Sequence, residues 1–194
     1  MQEKEKNGKN TLKQLLSTSL YLLCVLVGTL LILRYVGQRT EVEGSSMEPT
    51  LYGMDENDPT KVGDNLIVDK LTYRFQDPKR FDIIVFPNRY SGKLYIKRII
   101  GLPGETVQID YEGNIYINGE ILKEGYGKEI IRDPGLAADP IVLGEDEYFV
   151  LGDNRNNSLD SRRESVGVIH REEIIGRAWL RIWPISRFGL LKHQ

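Results

Sequence analysis

The chain has 194 residues, enough for one modest domain with appendages, and its 26 basic and 28 acidic side chains leave a formal charge of −2. That balance offers no cationic footprint for nucleic acid. A single cysteine, Cys24, excludes an internal disulfide, and two histidines, His170 and His193, are poor material for a metal cluster or a Ser-His-Asp triad.

Residues 15–33, LLSTSLYLLCVLVGTLLIL, carry no charged side chain. As a helix rising ~1.5 Å per residue they span roughly 28 Å, about one hydrocarbon thickness. A cleaved signal peptide would have an apolar region of ~7–15 residues followed by a small-x-small site. Here LRYVGQRT follows, without such a site. The segment 15–35 therefore reads as an uncleaved transmembrane anchor. Lys4, Lys6, Lys9 and Lys13 precede it, against Arg34 and Arg39 just behind. This excess predicts a cytoplasmic segment 1–14 and an extracytoplasmic domain 36–194.

GSSMEPTL, at 44–51, comes next, with Ser45 and Ser46 side by side. Beyond it the pattern becomes short and alternating. NLIVDKL, FDIIVF, KLYIKRII, ETVQIDY, NIYING and EYFVLG are rich in Ile, Val, Tyr and Phe and are separated by turn residues, which predicts strands. LPGE, at 102–105, suits a type II turn with Gly104 third. EGN and then NG, within VQIDYEGNIYINGEIL, signal two successive hairpins. Residues 125–139, broken at Pro134-Gly135, read as a solvent-facing insertion. HREEII predicts one short helix, and GRAWLRIWP a last strand. Trp179 and Trp183 in that strand suit either a lipid interface or a packed core. The domain is expected to be mainly β, around about one core.

A serine hydroxyl becomes a useful nucleophile only when a base takes its proton. His170 lies in a polar HREE context that suits an exposed helix start. A lysine serves only if its pKa falls by roughly 2–3 pH units from ~10.4, which takes ~3–4 kcal/mol of selective destabilisation of the ammonium. Burial among apolar groups can supply that, so the lysine to seek lies mid-strand. Lys97, in LYIKRII, has Ile96, Ile99 and Ile100 around it and one charged neighbour, Arg98. Strand alternation puts Tyr95, Lys97 and Ile99 on one face and Ile96, Arg98 and Ile100 on the other. Taken alone, the same lysine also fits an edge strand with its head in water.

Four stretches in order, SMEPTL (46–51), GDNLIVDK (63–70), KRIIGLPGE (97–105) and GDNRNNSLDSR (152–162), follow the apolar run. In these the chain resembles the type I signal peptidases (leader peptidases) of peptidase family S26. The short span between the third and fourth stretches is similar to the compact Gram-positive bacterial enzymes. The resemblance implies a β-rich catalytic domain on one anchor, and a membrane serine endopeptidase with a Ser/Lys dyad and no metal or organic cofactor. Its substrates would be signal-peptide-bearing preproteins, cleaved at the bilayer close to the protein export machinery.

On that resemblance Ser46 is the nucleophile and Lys97 the general base. Ser158 hydrogen-bonds and orients the lysine, Asp153 pairs with Arg98, and Asp160 pairs with Arg162. The Ser46 backbone amide forms part of the oxyanion hole. Gly44 occupies the position where some relatives carry a serine side-chain donor, which leaves the second donor unidentified. A membrane Ser/Lys protease dedicated to one precursor, or an inactive signal-peptidase-like binding domain, fits many of the same residues. A self-cleaving repressor would need a DNA-binding module where this chain has an apolar span.

Overall fold

The computed structural model describes residues 2–54, 58 and 60–191. Contacts divide the chain into two units, Met1–Gly37 and Gln38–Gln194. His193 lies outside the described residues.

The first unit is one helix, α1 (Gln2–Tyr35). It begins well before the apolar run, because Gln, Glu and Lys dominate the segment ahead of it and are good helix formers. Within the expected 1–14 segment, residues 2–14 therefore continue the helix backbone. Among the described residues, its stretch Lys13–Leu31 is the one helix long and apolar enough to cross a membrane. Thr18 and Thr29 donate their hydroxyls to the carbonyls of Gln14 and Val25 (2.9 and 2.8 Å). Polar side chains on an apolar helix are thereby satisfied within it.

The second unit is built on two antiparallel sheets. The larger contains β1 (Gly37–Glu41), β2 (Asn65–Asp69), β3 (Ile83–Pro87) and β4 (Leu94–Gly101). The smaller contains β5 (Thr106–Ile109), β6 (Ile115–Ile117), β7 (Glu120–Ile121) and β8 (Ile141–Val142). The chain then returns to the larger sheet with β9 (Glu147–Leu151), β10 (Ile169–His170), β11 (Gly176–Trp183) and β12 (Gly189–Leu190). The larger sheet runs β1-β2-β11-β3-β4-β9-β10, with β12 on β11. The smaller runs β7-β6-β5-β8.

β2, β3, β4, β5, β6 and β9 fall where the Ile-, Val-, Tyr- and Phe-rich segments predict strands, and β11 where GRAWLRIWP does, whereas β1, GQRTE, carries no such signal. The predicted turns are in place: Gly104 has φ 76°, and the Glu105 N–H donates to the Leu102 carbonyl at 3.1 Å. Asn118 and Gly119, both at positive φ (52° and 83°), join β6 to β7 as a type I′ pair requires.

β4 lies between β3 and β9, with Lys97 opposite Ile84 and Arg98 opposite Ile83 and Leu151. The edge-strand alternative for Lys97 is thereby excluded. Both faces of β4 are covered: Ile96 packs with Met47, Leu51 and Val85, Ile99 with Ile84, Phe86 and Val150, and Ile100 with Val107 and Phe149. The expected single core is three apolar clusters, two built on strands of the larger sheet and one that includes the smaller.

Two expectations need correction. Residues 125–139 are not merely a solvent-facing insertion, since Ile131 and Ala137 are buried in the cluster of the smaller sheet. Their apolar positions show no regular period because the segment is an irregular strap with a 3-10 turn at Gly135–Ala138. The HREEII helix is a single 3-10 turn, Arg171–Glu173, and two further such turns stand at Thr72–Arg74 and Ile185–Arg187. The two tryptophans do not enter the core: Trp179 is 43% and Trp183 47% exposed.

Candidate active site

Ser46 sits on a turn between β1 and β2, anchored by buried Val42 before it and by buried Met47 and Leu51 after it. Met47 and Leu51, one turn apart, are buried in the core, and the Leu51 N–H donates to the Met47 carbonyl at 2.9 Å. Ser46 itself is half-buried and faces a cavity of about 730 Å³. Leu94, Tyr95, Ile96 and Lys97 line the same cavity from β4.

The GDNRNNSLDSR stretch holds this turn from the other side. The Asn154 N–H donates to the Ser46 carbonyl, and Asn154 Nδ2 to the Ser45 carbonyl, both at 3.0 Å. Asn157 Nδ2 donates to Ser45 Oγ at 2.7 Å. The approach needs glycine at position 152, because a Cβ there would come within 2.4 Å of the Ser46 carbonyl oxygen. Asn154 and Asn157 were within a quoted motif, yet their polar character reads as a surface turn until the partner loop is placed.

Lys97 Nζ lies 2.8 Å from Ser46 Oγ and 3.0 Å from the Ile96 carbonyl oxygen. The residue is 4% exposed. Burial among apolar groups pulls its pKa down to about 8, while the Asp160 and Asp153 carboxylates pull weakly the other way. A substantial neutral fraction therefore exists near pH 8, and a neutral amine at 2.8 Å can accept the serine proton.

The two carboxylates are themselves neutralised. Asp153 takes a bidentate pair from Arg98 (Nε to Oδ1 2.8 Å, Nη2 to Oδ2 2.7 Å), with both side chains fully buried. Thr50, from the Ser46 turn, donates to Asp153 Oδ2 at 2.5 Å. Arg98 also donates to the Phe81 carbonyl at 2.8 Å, and the Tyr126 ring stacks 3.5 Å from its guanidinium carbon. Phe81 holds φ 71°, a conformation unfavourable for a bulky side chain, and its ring packs on Tyr126 with centroids 5.3 Å apart.

Asp160 is paired with Arg162 in the same bidentate way (2.8 and 2.9 Å) and accepts the Gly152 N–H at 3.1 Å. Thr50 and Tyr126 were missed. No local sequence signal marks Tyr126, since it acts on residues distant in the chain.

Ser158 departs from expectation. It lines the cavity, but its buried hydroxyl makes no hydrogen bond, to Lys97 or to any other described residue. Lys97 already has Ser46 and the Ile96 carbonyl as partners. Gly44 has φ 70° and open space where a side chain would project, so it offers no donor beyond its backbone. His170 faces Asp146 and Glu147 (3.6 and 3.9 Å) and does not line the cavity. Among the described residues no group of three His, Cys, Asp or Glu comes together as metal ligands would.

Known proteins resemble this chain in sequence. Residues 12–183 match the family described as signal peptidase, peptidase S26. The chain is 39% identical to the probable signal peptidase I-2 of Synechocystis sp., over 97% of this chain and 81% of that one. It is 42% identical to signal peptidase I of Leptolyngbya laminosa, over 81% and 74%. Signal peptidase I P of Bacillus subtilis subsp. natto is 35% identical, over 96% and 97%.

Proposed function

The chain belongs to the signal peptidase family, peptidase S26, and from that premise we propose that Ser46 and Lys97 are its catalytic dyad, cleaving N-terminal signal peptides from exported preproteins. The enzyme is a serine endopeptidase of the type I signal peptidase class. The observation that carries the dyad is the 2.8 Å approach of a buried lysine amine to the Ser46 hydroxyl.

Neutral Lys97 takes the Ser46 proton as Oγ adds to the scissile carbonyl carbon. The carbonyl oxygen becomes an oxyanion facing the Ser46 backbone N–H. Collapse breaks the C–N bond, and the leaving amine takes the proton from Lys97. Water, deprotonated by the same lysine, then releases the acyl group from Ser46. The Arg98–Asp153 and Arg162–Asp160 pairs serve this step by keeping two buried carboxylates from stabilising the ammonium of Lys97.

We place the helix Gln2–Tyr35 across the membrane with the N-terminus cytoplasmic. From Leu33 to Ser46 the chain reaches at most ~45 Å, which suits substrates cut just outside the bilayer, near the export machinery. Trp179, Trp183, Ile185, Phe188 and Leu190 expose 43–75% of their surface and suit the lipid interface, where tryptophan is favoured. Protease added to intact spheroplasts should digest 36–194 and spare the N-terminus; the opposite pattern would reverse the topology. The chain has only two tryptophans, so brominated lipid should quench its fluorescence in proteoliposomes, and unquenched emission would remove the lipid contact.

The decisive assay is preprotein cleavage by the wild type, Ser46→Ala and Lys97→Ala. Each variant should lose at least ~10³-fold in kcat. Turnover near wild type in either one would overturn the dyad. A panel of unrelated preproteins separates a general peptidase from one dedicated to a single precursor.

A further inference from the structure

The oxyanion needs more than one donor, and Gly44 cannot supply a side chain. We propose that the Ser45 hydroxyl is that second donor, a catalytic group beside the nucleophile; this rests on the dyad reading above.

Ser45 and Ser46 line the same cavity as Lys97. The backbone of Ser45 is fixed at its carbonyl by two donors, Asn154 Nδ2 at 3.0 Å and the Glu48 N–H at 3.1 Å. Its hydroxyl is fixed as well, but in one direction only. Asn157 Nδ2 donates to Ser45 Oγ at 2.7 Å, so the oxygen is used as an acceptor. Among the described residues nothing accepts the Ser45 proton. A hydroxyl has one donor and two acceptor sites, so an acceptor bond from Asn157 orients the oxygen and leaves its O–H to point elsewhere.

The remaining acceptor in reach during the reaction is the substrate. As Ser46 Oγ bonds to the carbonyl carbon and its proton passes to Lys97, the carbonyl π pair moves onto oxygen. That oxygen then accepts from the Ser46 N–H and the Ser45 O–H. On collapse the pair returns to the C–O bond, the C–N bond breaks, and both donors keep their protons. Ser45 is half-buried, and a substrate filling the cavity removes the water that competes for its proton. Asn157 is then a positioning residue, acting through Ser45.

The test compares full-length wild type, Ser45→Ala, Ser45→Thr, Asn157→Ala and Ser46→Ala on one preprotein in lipid micelles. Loss of an oxyanion donor should lower kcat by ~10²-fold in Ser45→Ala with KM little changed. Ser45→Thr should recover most of that loss, and Asn157→Ala should fall between. The rising limb of the pH profile should stay in place in Ser45→Ala, because Lys97 is untouched; a merely structural role would move it. A kcat within ~3-fold of wild type in Ser45→Ala, or a loss confined to KM, would overturn the proposal. Activity in Ser46→Ala would instead remove the nucleophile assignment beneath it, and that result is separate from either outcome for Ser45.

Discussion

The guanidinium carbon of Arg98 lies 3.5 Å from the centroid of the Tyr126 ring, and this contact joins the strap at 125–139 to the strand that carries Lys97. Arg98 is fully buried, and Asp153 pairs with it edge-on while Tyr126 covers its face. The arginine is thus enclosed by charge in its plane and by π density above it. The strap is therefore a part of the site's support.

Tyr126→Ala should lower unfolding stability by ~2 kcal/mol through the lost cation–π contact and ring packing, and Tyr126→Phe should retain the share that the ring carries. Arg98→Ala leaves Asp153 buried and unpaired, so its cost should reach ~3–5 kcal/mol. The unscreened Asp153 charge should also raise the pKa of Lys97. Urea denaturation and the pH profile of kcat/KM measure the two effects, and a rising limb that stays in place in Arg98→Ala would contradict the electrostatic role.

The lysine itself ties stability to pH. Its pKa in the folded chain is about 8, against an ordinary 10.5. Below about 8 both folded and unfolded chains hold the proton, and the fold bears the full cost of a buried ammonium. Between these two values the unfolded chain holds more protons, so stability rises with pH and is complete above the ordinary value. The contribution is ~3 kcal/mol. Lys97→Met should accordingly be more stable than wild type at pH 7 by roughly that amount, with the gap closing by pH 11. Equal stability of the two at pH 7 would mean that the amine is not desolvated. In the wild type, activity should rise with pH through a limb near 8.

A third prediction concerns Asp64, fully buried behind the Ser46 turn. It sits 3.0 Å from Arg181 Nη1 and 2.9 Å from Arg187 Nη2, and it accepts the Tyr52 N–H at 3.0 Å. Arg181 also donates to the Thr50 carbonyl at 3.2 Å, so one buried carboxylate organises the arginine that braces this turn. Asp64→Asn should cost ~2 kcal/mol, less than a fully buried pair because both arginines keep some access to water. It should also lower kcat more than KM by loosening the turn. An unchanged urea midpoint would show that the network carries no net stability.

The longer Ile-, Val-, Phe- and Tyr-rich strands were legible because short apolar runs bounded by turn residues mark strands, and in β3, β4 and β9 those runs are buried on both faces. The positive-φ turns were legible at LPGE and NG for an equally local reason. The two-residue strands β7, β8, β10 and β12 were not, since so short a segment is a strand only by virtue of its partner. The placement of β11 between β2 and β3 was likewise unreadable, because pairing between segments so distant in the chain leaves no local trace. At the site, Ser46 and Lys97 were found from chemistry and resemblance together. The buried charges Arg98, Asp153, Asp160 and Arg162 were assigned as pairs through the resemblance, whereas their character alone reads as solvent-exposed.

By itself the sequence determined the apolar span, the β-rich character of the remainder and the chemical identity of a serine and a mid-strand lysine. These depend on local composition and period. The tertiary structure decided that Lys97 is interior, that its amine meets Ser46 across 51 positions, that Tyr126 covers Arg98, and that Ser158 makes no hydrogen bond. Burial and contact are properties of the packed chain, and desolvation, which brings the lysine down to about 8, exists only once both faces of β4 are covered.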